Sequence, residues 1–178
     1  MTERTVEDRL REEYFDLLPD IRHVAEYLET KVRHCILPTL RTLDRYEQLR
    51  VKSRIKECES AVESLRRRQE GSTFDRDQPH LYKLAALNDL AGVRVLAFPR
   101  NRWLEIDQVL REQFSDWAPD PVPGIEEDGE SLAFKYYGCC EASTRVKGEL
   151  QIVPMLIGLF WAGPMRQRAS LLSFPQQI

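Results

Sequence analysis

Asn88-Asp89-Leu90-Ala91-Gly92-Val93-Arg94-Val95-Leu96-Ala97-Phe98 is the stretch that decides the fold. From Leu90 onward it is a nearly unbroken apolar, β-branched run of strand length, the pattern of a strand covered on both faces. A carboxylate, Asp89, stands at its entry. Gly148-Glu149-Leu150-Gln151-Ile152 repeats the design further along, again with a carboxylate at the start of a strand-like run. Upstream, Val51-Lys52-Ser53-Arg54-Ile55-Lys56 alternates apolar or small residues with cations, which predicts a strand with one basic face.

Working outward, Val6, Leu10, Tyr14 and Leu17 recur at helical spacing, and Pro19 is expected to break that helix. Asp20 then caps a second helix through Ile21, Val24, Ala25, Leu28 and Val32 toward Ile36. Pro38 predicts a kink or restart, with helix continuing through Leu40 and Leu43 to Leu49. The apolar stripes of these helices read as core seams. Glu59 to Arg68 reads as a helix ending in Arg66-Arg67-Arg68, a solvated end that suits the helix dipole. A short helix is expected over Leu81 to Leu87 and an amphipathic one over Trp103 to Phe114. Pro119 to Glu130 is acidic and rich in Pro and Gly, hence a mobile loop. Leu132 to Cys140 and Glu149 to Ile152 read as neighbouring antiparallel strands, and Pro154 is expected to open a last apolar helix.

Helices first, then strands interleaved with helices, predict an α+β domain: a small mixed β-sheet flanked by helices. Residues 1–50 form an N-terminal helical segment packed on the same domain, residues 51–161 its core, and residues 162–178 a tail. The 178 residues suffice for one domain with a real core, and 42% hydrophobic with 31% charged residues is a globular balance. A net charge of −3 gives no global attraction to DNA or to a membrane, so any polyanion must be held by a local cluster of cations. No apolar run reaches membrane-spanning length, and the start has no apolar stretch of the signal-peptide kind, which leads us to expect a cytoplasmic protein. Cys35, Cys58, Cys139 and Cys140 match no metal spacing and are expected to be reduced, packed thiols.

Two carboxylates and a basic strand are the minimum set for moving phosphoryl groups: metal ligands on one side, phosphate ligands on the other. The order of basic strand, Ser-led helix, Asp-x-x-Gly-x-Arg and Glu-x-Gln-Ile resembles the RelA/SpoT synthetase domain over about residues 50 to 161. Each motif is weak alone; the three in order are specific. The resemblance implies a nucleotidyltransferase-like domain that binds ATP and Mg²⁺. It would transfer pyrophosphate to the 3′-hydroxyl of a guanine nucleotide, making (p)ppGpp. By the same resemblance Asp89 is the main magnesium ligand. Glu149 is the second acidic group, either ligating magnesium or accepting the proton of the attacking hydroxyl. Gln151 shares Glu149's strand face and positions that hydroxyl. Arg54 and Lys56 resemble the ATP-phosphate ligands, and Ser60 the serine that opens the following helix, where free backbone N–H groups favour phosphate. Gly92 allows close backbone approach. The plain reading of Arg94 is an ion pair within the fold.

Departures from the family concentrate on the acceptor side. The family's Gly-Tyr-x-Ser-x-His is here Gly129-Glu130-Ser131-Leu132-Ala133, so with Ser131 as the motif serine both the Tyr and the His are missing. Another register puts Phe134, Tyr136 or Tyr137 where a base could stack. Ser131, Phe134 and Tyr136 are therefore the expected acceptor residues. The family's Arg-Thr after the second strand is Val153-Pro154, a helix lysine is replaced by Ser64, and Gly163-Pro164 stops the last helix. These features keep three readings open: an alarmone synthetase with an unusual acceptor pocket, a toxic relative that pyrophosphorylates adenosine nucleotides or the tRNA 3′ end, and a decayed binding module. An antitoxin or a second copy of the chain would be natural partners. His23, His34 and His80 are scattered, which argues against a metal-dependent hydrolase.

Overall fold

Thr5 opens one long helix, α1, spanning Val6–Lys31. Its hydroxyl accepts from the Asp8 N–H and the Asp8 carboxylate accepts back from the Thr5 N–H, a capping box at 3.1 and 3.4 Å. The break expected at Pro19 does not occur. Pro19 is exposed, so the carbonyl it leaves unpaired, that of Phe15, lies on the solvent side where water can bond it. The buried stripe Val6, Leu10, Tyr14, Leu17, Ile21, Val24, Ala25 and Leu28 passes Pro19 in phase, and its burial outweighs the lost hydrogen bond. The computed structural model describes residues 5–99, 102–117, 119–121, 126–127, 130–131, 133–141 and 144–161; for 119–121, 126–127, 130–131 and 159–161 this is the backbone alone.

After α1 the chain passes through a π turn, Val32–Ile36, and a 3-10 turn, Leu37–Thr39. The helix expected to continue to Leu49 is absent. Side chains from the helix Arg102–Gln113 hold this stretch open instead: Arg102 donates to the Arg41 carbonyl at 3.0 Å and Glu105 accepts from the Arg41 N–H at 2.9 Å. Strand β1, Gln48–Ile55, follows, then α2, Cys58–Arg66. The helix expected over Leu81 to Leu87 is two 3-10 turns, Pro79–Leu81 and Leu84–Ala86. Here α1 takes the backbone groups that a helix would pair. Arg9 donates to the carbonyls of Pro79 and Tyr82, and the Glu13 carboxylate accepts from the Leu84 N–H.

The remaining elements are β2 (Ala91–Phe98), α3 (Arg102–Gln113), β3 (Pro119–Pro121), β4 (Glu126–Glu127), β5 (Glu130–Ser131), β6 (Phe134–Gly138), β7 (Gly148–Pro154) and α4 (Met155–Trp161). Short strands thus occupy part of the expected 119–130 loop, and Pro154 closes a strand rather than opening the last helix. The architecture is α+β: a five-stranded mixed sheet in the order β1-β2-β7-β6-β3, with β4 and β5 paired apart from it. Among the described residues only the β2–β7 contact in this sheet is parallel; β1–β2, β6–β7 and β3–β6 are antiparallel.

Register assigns the two faces. Residues paired across strands share a face. Val51, Val93, Val95, Leu150, Ile152 and Tyr136 turn to the main core with α1 and α3. The opposite face carries the cross-strand row Arg54, Gly92, Glu149, Tyr137 and, beside it, Lys52, Arg94, Gln151, Lys135. Farther along that second face, Leu96 and Val153 form a small separate cluster with Ala133 and Met155, and α4 packs there through Gly158 against Leu96. Cys35 and Cys139 are exposed rather than packed, Cys58 and Cys140 half-buried.

Gly92 lies between Arg54 and Glu149 in the first row. A Cβ there would sit 2.4 Å from the Glu149 carbonyl oxygen, a backbone atom that cannot step aside. Gly92→Ala is expected to push β2 from β7 at a cost of about 1–3 kcal/mol. For a chain of this length that lowers Tm by roughly 3–10 °C. Thermal unfolding with an unchanged Tm would show that the strands do not meet this closely.

Candidate active site

The sheet brings together five of the residues singled out in the sequence. Lys56, one residue past β1, and Asp89, two residues before β2, meet at the same end of the antiparallel pair: Lys56 Nζ donates to Asp89 Oδ2 at 2.5 Å. Lys56 also donates to Ser64 Oγ on α2 at 3.0 Å, so this serine helps to hold the cation in place. Arg54 bridges both carboxylates, with Nη2 3.5 Å from Asp89 Oδ2 and 3.7 Å from Glu149 Oε1. It reaches across β2 because Gly92, the residue between, has no side chain. The two acidic oxygens are thus within 3.7 Å of one nitrogen. That is well inside the roughly 10 Å limit for sharing one ion whose ligands stand at about 2.1 Å.

Glu149 is 4% exposed, and its Oε1 accepts from Gln151 Nε2 at 2.5 Å. Gln151 in turn accepts at Oε1 from Arg94 Nε at 2.9 Å. Arg94 thus bonds an amide on its own row, and that contact fixes which way the Gln151 amide points. Burial pushes the Glu149 carboxyl above the usual range; Arg54 opposes this, the nearby Asp89 charge adds to it, and Lys135 and Arg94 oppose it further. A buried carboxylate held by an amide and flanked by cations is suited to accept a proton. Asp89 Oδ1 is buried and has no hydrogen-bond partner among the described residues. An orphaned carboxylate oxygen is costly unless something else binds it. It fits a divalent cation, and with Glu149 it supplies the one or two carboxylates that magnesium uses beside phosphates and water. Among the described residues there is no group of three or more acidic, His or Cys side chains placed to hold a metal by themselves.

Ser60 is exposed in the first turn of α2 and does not touch this cluster through any described contact. Ser131 lies in β5, opposite Glu126. The other two acceptor candidates face the wrong way. Phe134 pairs with Ile152 and Tyr136 with Leu150, so both project to the helix side of the sheet. Phe134 packs on Trp103 with ring centroids 5.2 Å apart. Tyr136 is fully buried, and its hydroxyl donates to Asp107 of α3. Neither offers a ring face to a base beside Glu149. The aromatic side chain on the charged face is Tyr137, paired with Glu149 itself, next to Lys135, paired with Gln151. Counting in twos from the strand centre would have found both.

No protein-family model matches the sequence, and no curated protein matches it. Solved structures do. Small alarmone synthetase 1 from Bacillus subtilis bound to AMPCPP aligns with a TM-score of 0.58 at 20% identity, covering 85% of this chain and 75% of that one. The same protein bound to its product pppGpp aligns with a TM-score of 0.59 at 18% identity, covering 93% and 84%. A further crystal structure of it gives 0.54 at 17% identity over 90% and 86%. At such identities the likeness is one of fold, and this chain has the fold of a small alarmone synthetase.

Proposed function

We propose that this domain transfers the pyrophosphoryl group of ATP to the 3′-hydroxyl of a guanine nucleotide, forming (p)ppGpp and AMP. The observation that carries the reading is the contact set Lys56–Asp89–Arg54–Glu149–Gln151 on one sheet face. The neighbouring fold, solved with an ATP analogue and with pppGpp, supports it. In the free protein the cations are occupied by the carboxylates. Incoming ATP phosphates compete for Arg54 and Lys56, which frees Asp89 and Glu149 to face a cation. Asp89, through its Oδ1, unpartnered among the described residues, would hold magnesium, which would supply neutralisation of the phosphate charge.

The chain's own residues then account for the transfer. Arg54 and Lys56 hold the phosphates in line, with the free N–H groups at the start of α2 near Ser60 available to the same chain of oxygens. The acceptor 3′-oxygen bonds to the β-phosphorus, the bond from that phosphorus to the α–β bridging oxygen breaks, and AMP leaves. Glu149 takes the hydroxyl proton, and Gln151, locked by Arg94, orients the hydroxyl. The test is incubation with ATP labelled in the β-phosphate, offering GDP, GTP or tRNA in turn. Label on GDP and GTP with matching AMP release is expected. Label on tRNA alone would replace the guanine acceptor, and no label with no AMP release would reject the transferase reading.

A further inference from the structure

The strand ladder stops short of the two residues that meet at the head of the site. Ile55 opposite Ala91 is the last pair of β1 and β2, and Lys56 and Asp89 lie beyond it. Neighbouring residues of α1 fix where these two start, from the core side of the sheet. The Tyr14 hydroxyl donates to the Lys56 backbone carbonyl at 2.8 Å. The Lys56 N–H donates to the Leu90 carbonyl at 2.9 Å. Both backbone polar groups of Lys56 are engaged, so its ammonium reaches Asp89 and Ser64 from a fixed point. Glu13 holds the other chain end. Its carboxylate accepts from the Leu84 N–H at 2.9 Å and the Ala85 N–H at 3.5 Å, at the start of the turn that leads to Asp89. Leu84, Leu87 and Leu90 are fully buried, so the run from that anchor to β2 has little room to shift.

The α1 stripe requires of position 14 only an apolar ring, which phenylalanine would supply. The hydroxyl goes beyond that requirement. Burial pushes the phenol above its ordinary value, with Cys58 and Glu57 adding to the effect, so it keeps the proton it donates. We propose that Tyr14 is a positioning residue of the site. Its hydroxyl pins the end of β1 while Glu13 pins the 84–85 turn, and together they set the Lys56–Asp89 geometry in which Asp89 takes a divalent cation beside the donor phosphates. Tyr14 acts through the backbone and touches no reacting group. A misplacement of about 1 Å in such a site costs up to about a hundredfold. This rests on the donor reading above.

The experiment measures AMPCPP affinity of the full chain with saturating Mg²⁺ and again with EDTA. The ratio of the two reads the metal's contribution and cancels changes common to both. Wild type is compared with Tyr14→Phe, Glu13→Ala, Glu13→Gln and Val24→Ala; Val24 is buried farther along the same stripe and controls for general loosening of α1. Wild type is expected to show a ratio of at least about tenfold. Tyr14→Phe and Glu13→Ala should each lower it about three- to tenfold, the span of one hydrogen bond. Glu13→Gln keeps an oxygen for the Leu84 N–H and should stay within about twofold of wild type. Val24→Ala should lower Tm and leave the ratio unmoved. An unchanged ratio in Tyr14→Phe, or an equal fall in Val24→Ala, overturns the assignment. Should Tyr14→Phe not fold, equal ratios in Glu13→Ala and wild type overturn it instead. A wild type whose AMPCPP affinity ignores Mg²⁺ rejects the donor reading and this proposal with it, whereas a responsive wild type with Tyr14→Phe unmoved rejects Tyr14 alone.

Discussion

Asp89→Asn is expected to lower pyrophosphate transfer by about a hundred- to a thousandfold while leaving the domain folded, the loss typical of removing one preorganised electrostatic group from a transition state. The carboxylate has two oxygens in different situations. Oδ2 is engaged by Lys56 and Arg54, and Oδ1 is buried without a partner among the described residues. An asparagine keeps the shape and can still accept from Lys56 through its one carbonyl oxygen. It loses the charge and the second acceptor, the two properties a magnesium ion needs. The folding cost is small because two effects oppose each other: a partly exposed ion pair is weakened, while repulsion between Asp89 and the buried Glu149 is removed. A Tm within about 3 °C of wild type follows. The decisive readout is magnesium dependence of AMPCPP binding, which should be present in wild type and absent in Asp89→Asn. A variant that retains both the magnesium effect and transfer would reject Asp89 as the metal-binding carboxylate.

The parts of this site that were legible in the sequence share one property: they depend on alternation within a strand or on a residue at a strand's end. Arg54, Glu149 and Gln151 are placed by counting in twos, and Lys56 and Asp89 by standing where the strands begin or stop. That the last two meet follows from β1 and β2 pairing antiparallel, with Ile55 opposite Ala91. What was not legible depends on context from elsewhere in the chain. The local cost of Pro19 is visible in the sequence, whereas the burial of the in-phase stripe that outweighs it depends on the elements packed against α1. The apolar spacing that predicts a helix over Leu81 to Leu87 is visible in the sequence, and the polar side chains of α1 that claim the backbone there are not. Ring chemistry alone points to Phe134 and Tyr136. Register against Glu149 turns them to the core and leaves Tyr137 and Lys135 on the charged face.

Glu149→Gln tests the other half of the mechanism and is expected to lower kcat by about a hundred- to ten-thousandfold, the span of a lost general base. The substitution is nearly isosteric. Its carbonyl oxygen can still accept from Gln151 Nε2, so the hydrogen-bonded line from Arg94 through Gln151 survives, and α1 and β7 pack as before. Removing a carboxylate that burial drives toward its neutral form relieves a desolvation penalty, so Tm should hold or rise by a few degrees. The sign follows from the direction of the shift. A carboxyl raised above its unfolded value opposes folding once pH climbs past that unfolded value, and an amide does not. Arg54 keeps Asp89 as a partner, and Lys56 is untouched, so the KM for ATP should change far less than kcat. Equal losses in ATP binding and turnover would mean that Glu149 serves the donor phosphates through the metal rather than the acceptor's proton. An unchanged kcat would remove it from the chemistry altogether. Between these outcomes the carboxylate's role is decided by which parameter moves, because Asp89→Asn should strike magnesium-assisted ATP binding first and Glu149→Gln should strike the step after both substrates are in place.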